Sequence, residues 1–243
     1  MPGLDSDNPD HVYQLKAHIY NLNHVWRRFH IGTDSSLEQL RRTIMCLFDL
    51  HEDFPCEFRA GRARYGSQVA VEGEAAGPES VDLALVPVRD AVETVKKETA
   101  RNRKSIFFSY ESPEYRESAR PRSEPASGDE DEEEEEGGDI PGFTHWYIVI
   151  SYEDELPAAA GQSYPVCIAG ERASPPGAIH NYDQYQWLTN NMKTMGRSRF
   201  IDVLKRGNHP DDAGYIRLLE DGFDPALFNL DTVNLCLSKA GKK

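Results

Sequence analysis

Apolar and polar residues alternate from Val12 onward. Tyr13, Leu15, Ala17 and Ile19 stand against Gln14, Lys16 and His18, the pattern of a strand with one buried face. Asn21-Leu22-Asn23 is turn chemistry, because Asn tolerates positive φ. Val25, Phe29 and Ile31 then share one face of a second strand, with Trp26, Arg28 and His30 on the other. The period changes after Thr33. Leu37, Leu40, Ile44, Leu47 and Phe48 recur at helical spacing, and Ser35 with Glu38 three residues on reads as a capping box at the helix start. A hairpin cannot cover its own apolar face. The helix is placed to do so, with Leu40 and Ile44 buried against it.

Further along, Phe54 to Tyr65 reads as a second hairpin, with Cys56, Phe58 and Ala60 alternating and Gly61 near the turn. Residues 66–78 read as loop. A helix is expected from about Pro87, carrying Val88, Ala91, Val92 and Val95, and Ile106 to Tyr110 and His145 to Tyr152 are apolar strands. Between those strands, Ser112 to Gly142 holds four prolines, a run of acids and few apolar residues, so it cannot build a core. Glu153 to Ser174 reads as extended or irregular. A helix follows over Tyr182 to Met195, then a short amphipathic piece over Phe200 to Lys205 and a helix over Ala213 to Glu220, and Asp231 is the expected cap of a last helix with Val233, Leu235 and Leu237. The chain is thus expected to be one α+β domain over residues 12–111 and 143–238, with a disordered lead-in at 1–11 and a disordered acidic insertion at 112–142.

Charge changes the picture in one place. The 243-residue chain carries −14, and nine of its acids lie between Asp129 and Asp139, which leaves about −5 for everything else. Such a balance opposes sequence-independent binding to phosphate backbones, so nucleic acid is not an expected partner of the full-length protein. No apolar run approaches the length of a membrane span, and the opening MPGLDSDNPDH is not a secretory signal. A cytoplasmic placement, or a nuclear one in a eukaryotic cell, is expected. The four cysteines, Cys46, Cys56, Cys167 and Cys236, form no CxxC pair and read as free thiols, with Cys46 and Cys236 as small core residues.

Three segments carry a family resemblance. They are Tyr13 to Leu50 with its Trp26-Arg27-Arg28, Pro165 to Gly177 (PVCIAGERASPPG), and Gly222 to Leu237 (GFDPALFNLDTVNLCL). Together and in this order they resemble the plasmid pRiA4b ORF-3-like family, also met as a passenger protein of an insertion element. The resemblance implies an α+β fold with a ubiquitin-like, β-grasp-type ββαβ opening, a mixed or antiparallel sheet with helices on one face, and a C-terminal helical segment. It implies no established activity, and fold alone would not supply one. Several of the family's polar positions are altered here. Its Tyr-Asp-Phe-Gly-Asp is replaced by Tyr110-Glu111-Ser112-Pro113, its His-x-His-Gln-Phe by Phe54-Pro55-Cys56-Glu57-Phe58, and the acids after Pro-Pro by Gly177-Ala178.

Candidate chemistry is correspondingly sparse. His145, Cys167, His180 and Asp183 could form a residual polar site, and their convergence in space would favour a hydrolase or a metal-dependent enzyme. His51, Glu52, Asp53 and Cys56 are a second grouping of ligand-type residues, more simply read as a polar turn after a helix. Lys96, Lys97, Arg101, Arg103 and Lys104 form a basic cluster at a helix end, where cations suit the dipole. Trp26-Arg27-Arg28 with Arg41-Arg42 could make a basic strip, or simply exposed faces of a strand and a helix. No HExxH or phosphate-binding glycine loop occurs, so no metal and no cofactor is expected. The sequence favours a non-enzymatic interaction protein with an unidentified protein partner. A mobile-element nucleic-acid accessory protein is the third class.

Overall fold

The computed structural model describes residues 9–50, 56–66, 82–98, 104–110, 146–176, 179, 182–207 and 212–240. The expectations for residues 1–8 of the N-terminal lead-in, for 67–78 of the expected loop, for 112–142, and for His51, Glu52, Asp53, Arg101, Arg103, His145 and His180 fall outside them, whereas His11, the last residue of the expected lead-in, opens the first strand.

The opening unit forms as the alternation requires. Strands β1 (His11–Ile19) and β2 (Leu22–Gly32) pair antiparallel. The turn is tighter than the Asn21-Leu22-Asn23 reading. Leu22 already pairs with Ile19 and is buried, so only Tyr20 and Asn21 turn, with Asn21 at φ 64°. Helix α1 (Leu37–Phe48) covers the hairpin, and Leu40 and Ile44 are fully buried.

The expected capping box is corrected by one residue. Ser36, not Ser35, accepts the Gln39 amide at 3.2 Å. The Ser35 carbonyl is taken by the Val88 amide at 2.7 Å. Glu38 does not reach back to the cap, because it bonds the guanidiniums of Arg41 (2.8 Å) and Arg42 (2.9 Å). These backbone bonds, with Leu37 donating to Val86 at 2.7 Å, tie the start of α1 to the start of α2 (Val88–Lys97).

The second hairpin, β3 (Cys56–Ala60) and β4 (Ala63–Gly66), turns at Gly61, whose φ of 58° favours glycine. Strands β5 (Ile106–Tyr110) and β6 (Trp146–Pro157) pair with each other, Phe108 opposite Ile148. They are the two strands that flank the acidic segment. β6 runs further than its apolar stretch because its second half pairs with β1, and β7 (Val166–Glu171) adds to β2. The seven strands of this sheet lie in the order β4-β3-β5-β6-β1-β2-β7, all antiparallel. The β-grasp comparison extends only to the order of elements. The strand after α1 pairs with β4 and β5, whereas β1 sits between β2 and β6.

Alternate residues of these strands, with α1 and α2, make one core. It includes Leu15, Ala17, Phe29, Ile31, Phe58, Phe108, Ile148 and Ile150, and Val88 and Val92 of α2.

The C-terminal region is helical: α3 (Tyr182–Met195), α4 (Arg197–Gly207), α5 (Asp212–Glu220) and α6 (Leu230–Ala240). Trp187 of α3 holds the first three together, its ring 5.2 Å from Phe200 and 5.1 Å from Tyr215. The cap of α6 is Asn229, whose Oδ1 accepts from the Thr232 amide at 2.9 Å, rather than Asp231. Leu235, expected on the apolar side, is exposed, and Leu237 is buried.

α6 packs on α1 and brings Cys236 to Cys46, and the two form a disulfide with Cα atoms 5.6 Å apart. The reading of four free thiols therefore holds only for Cys56 and Cys167, both buried. Each of the paired cysteines sits in an apolar helical pattern, which describes either state equally well. Only the packing of helices 190 residues apart in sequence separates them.

Leu40→Ala should cost about 2–5 kcal/mol in urea melts, the range for truncating a buried leucine in a core that cannot collapse around it. A loss below about 0.5 kcal/mol would mean that α1 does not close the core.

Candidate functional site

Cys167 and Asp183 are the two described members of the His145, Cys167, His180, Asp183 group. Cys167 lies on the core side of β7. Its thiol contacts the carbonyl oxygens of Arg28 (3.5 Å) and Ala169 (3.4 Å), and burial pushes its pKa up to about 11. A thiol in that state is a proton donor rather than a nucleophile at neutral pH. Asp183 is exposed in the first turn of α3. Cys56, from the other grouping, is also buried, with its pKa raised by desolvation to about 11. Among the described residues no three His, Cys, Asp or Glu side chains come together as a metal site. In the basic cluster, Lys96 is engaged by Glu93 at 3.0 Å and Glu155 at 3.8 Å and lies over the Tyr152 ring at 4.3 Å. Lys97 and Lys104 are exposed.

The expected basic strip divides between the two faces of the sheet. Arg27 shares the face of Val25, Phe29 and Ile31 and is 2% exposed. Its Nε donates to the Leu47 carbonyl at 3.0 Å, which satisfies a last-turn acceptor of α1. Nη1 donates to the carbonyls of Trp26 and Glu171, both at 2.8 Å, and Nη2 to Ser174 Oγ at 3.0 Å. The rings of Phe228 (4.3 Å) and Phe48 (5.3 Å) lie against the guanidinium. Among the described residues no carboxylate pairs with it. Burial lowers its pKa to about 10, so it stays charged at neutral pH. Gly170 leaves room for this packing: a Cβ there would fall 2.6 Å from Phe228 Cζ and 2.9 Å from Arg27 Cδ. The strand parity of residues 25 to 31 carried the signal for Arg27. Reading Trp26-Arg27-Arg28 as one strip concealed it.

Trp26 and Arg28 lie on the opposite face. Pairing across the sheet sets Phe107, Val149, His18 and Trp26 in one row, with Ser151, Lys16 and Arg28 in the next. The Trp26 indole lies under Lys16 Nζ at 4.6 Å, with the Arg28 guanidinium 5.5 Å from its ring, and its Nε1 donates to Glu171 at 2.9 Å. Arg28 binds Glu153 through two parallel bonds of 2.6 and 2.8 Å, and this holds the Glu153 carboxyl below its ordinary pKa. Gln14 donates to Glu153 at 3.0 Å, and His30 sits 3.1 Å from the Gln14 oxygen. Lys16, His18, Trp26, Arg28 and His30 are all half-buried, unlike the core face. Burial lowers the pKa of His18, His24 and His30, with Lys16 adding to the effect at His18 and Arg172 at His24. A separate cavity of about 220 Å³ lies by the N-terminus of α1, lined among others by Glu38, Arg42 and Pro165. Its two charged residues bond each other.

Fold and surface together define a sheet with its helical core on one side and a patterned polar-aromatic face on the other. Residues 142–232 match the model of the family described as plasmid pRiA4b ORF-3-like protein, the same family that the sequence motifs resemble. Pro165 to Gly177 and most of the Phe-Asp-Pro ending lie in that stretch, and the opening hairpin lies outside it. A solved structure of similar fold is MM3350 from Methanosarcina mazei Go1, a protein of unknown function. It has a TM-score of 0.58 and 18% identity, over 92% of this chain and 97% of that one. No curated protein matches the chain.

Two outcomes follow from the geometry. Arg27→Met should destabilise by about 2–4 kcal/mol, since buried carbonyls lose their donor. Arg27→Lys should not restore it, because one ammonium cannot reach acceptors spread around a planar fork. A lysine variant melting within about 0.5 kcal/mol of wild type would contradict this role. The second outcome concerns pH. Folding lowers three histidine pKa values, so near their titration range the unfolded chain binds more protons. Stability should therefore fall as pH drops through about 6.5, and a His18→Gln, His24→Gln, His30→Gln variant should flatten the fall between pH 7.5 and 5.5 in urea melts. An unchanged slope would show that these rings are not desolvated on folding.

Proposed function

We propose that this protein is a non-enzymatic binding protein and that it meets a protein partner through the face of the sheet bearing Lys16, His18, Trp26, Arg28 and His30. The observation that carries this reading is the organisation of that face. Trp26 is fixed between two cations and a carboxylate, and Arg28 is fixed by Glu153. Aromatic and arginine side chains already held in place lose little entropy on binding, which suits them as anchors. The state of Cys167 also supports it, since a buried thiol with a raised pKa is poorly suited to nucleophilic catalysis.

A partner that offers carboxylates to Lys16 and apolar surface to Trp26 would complement the face. Nucleic acid is not the proposed ligand of the full-length chain, whose net charge is −14. No described helix is long and apolar enough to cross a membrane, and the proposed setting is the cytoplasm.

The test compares wild type with a Trp26→Ala, Lys16→Glu double variant, immobilised and exposed to lysate of the source cells, with retained proteins quantified by mass spectrometry. At least one protein should be retained by wild type and reduced tenfold or more on a variant whose circular dichroism is unchanged. Equal retention on both would remove this face as the binding surface. Retention of a labelled oligonucleotide at physiological salt would favour the nucleic-acid reading instead.

A further inference from the structure

α6 is held to the rest of the fold in an unusual way. Leu237 is its one fully buried side chain, and Leu230, Val233 and Ala240 are only partly buried. Two further attachments complete the contact. The first is Asn234, whose Oδ1 accepts from the Cys167 amide at 2.8 Å and whose Nδ2 donates to the Cys167 carbonyl at 3.0 Å. β7 is an edge strand, and the carboxamide of Asn234 supplies at Cys167 the pair of bonds that a neighbouring strand would make. The second is the disulfide from Cys236 to Cys46. Its two ends differ: Cys46 is 8% exposed within α1, whereas Cys236 lies on the exposed side of α6.

We propose that α6 is a redox-released cover over the edge of β7. The reductant is a dithiol. One of its thiolates attacks Sγ of Cys236, the accessible sulfur. The Cys46–Cys236 bond breaks, and Cys46 leaves as a thiolate and takes up a proton. The second thiol of the reductant then displaces Cys236 from the mixed disulfide. Two electrons and two protons pass to the protein, and the reductant becomes a disulfide. The bond spans 190 residues, so its loss removes a long-range tether and leaves one buried leucine, the partly buried Leu230, Val233 and Ala240, and one amide clasp. Helices so lightly held open locally without global unfolding. Opening uncovers the N–H and C=O of Cys167, while the Arg27 centre, built from β2, α1, β7 and the Phe228 segment that precedes α6, stays closed.

Hydrogen exchange of the full chain, with and without a dithiol reductant, tests this. Reduction should speed exchange at least tenfold across residues 230–240 and at the Cys167 amide, with Leu15 and Phe29 unchanged. Cys236→Ser changes the exposed member of the pair and spares the core. It should exchange like the reduced protein without reductant and show no response to it. Three results would each overturn the proposal: equal exchange in both states, simultaneous loss of protection at Leu15 and Phe29, or four titratable thiols in the protein as isolated under non-reducing conditions.

Discussion

A buried guanidinium with no counter-ion among the described residues is the constraint around which this structure closes. Removing a cation from water is costly, and burial is tolerated only when its hydrogen bonds are replaced. Arg27 achieves this with the carbonyls of Leu47, Trp26 and Glu171 and the hydroxyl of Ser174. Those acceptors belong to the end of α1, to β2, to the end of β7 and to the loop after it. The rings of Phe48 and Phe228 complete the enclosure. Each acceptor must be in position for the charge to be buried at all, so one side chain specifies how α1, β7 and the segment before α6 meet. Gly170 is part of the same arrangement, since a larger residue would collide with both Phe228 and Arg27.

The sheet separates structural from surface chemistry by parity. Arg27 and Arg28 are adjacent in sequence, yet one anchors the core while the other meets Glu153 on the far face. The same separation explains why Cys167 is a poor nucleophile. Its side chain falls on the core face of an edge strand, and its backbone is taken by Asn234. The polar-aromatic face, by contrast, is built from side chains that hold one another in place across β1, β2, β6 and β7. A surface preorganised in this way is suited to binding.

Much of the fold was legible in local pattern. Period-two alternation located β1, β2 and β3, helical spacing located α1 and α3, and short apolar runs on either side of a segment unable to form a core located β5 and the start of β6, which the structure pairs. The errors share a cause. The cap of α1 moved from Ser35 to Ser36 because the Ser35 carbonyl is taken by α2 and Glu38 by two arginines. The cap of α6 moved to Asn229, whose side chain already binds the first turn. Local propensity allowed both alternatives in each case, and contacts with other parts of the chain selected one.

The sequence by itself determined which residues can face a core, because strand and helix periods are properties of the backbone. It also carried ordered motifs that resemble the family whose model matches residues 142–232. Tertiary structure decided the order of strands in the sheet, the pairing of Cys46 with Cys236, and the burial of Arg27 among carbonyls. These depend on which distant surfaces meet, and a residue's pattern of neighbours in sequence says nothing about that. A cysteine in an apolar helix stripe is equally a core thiol or half of a disulfide until the facing helix is known. An arginine on a buried strand face is equally an error of register or a keystone until the acceptors around it are in place.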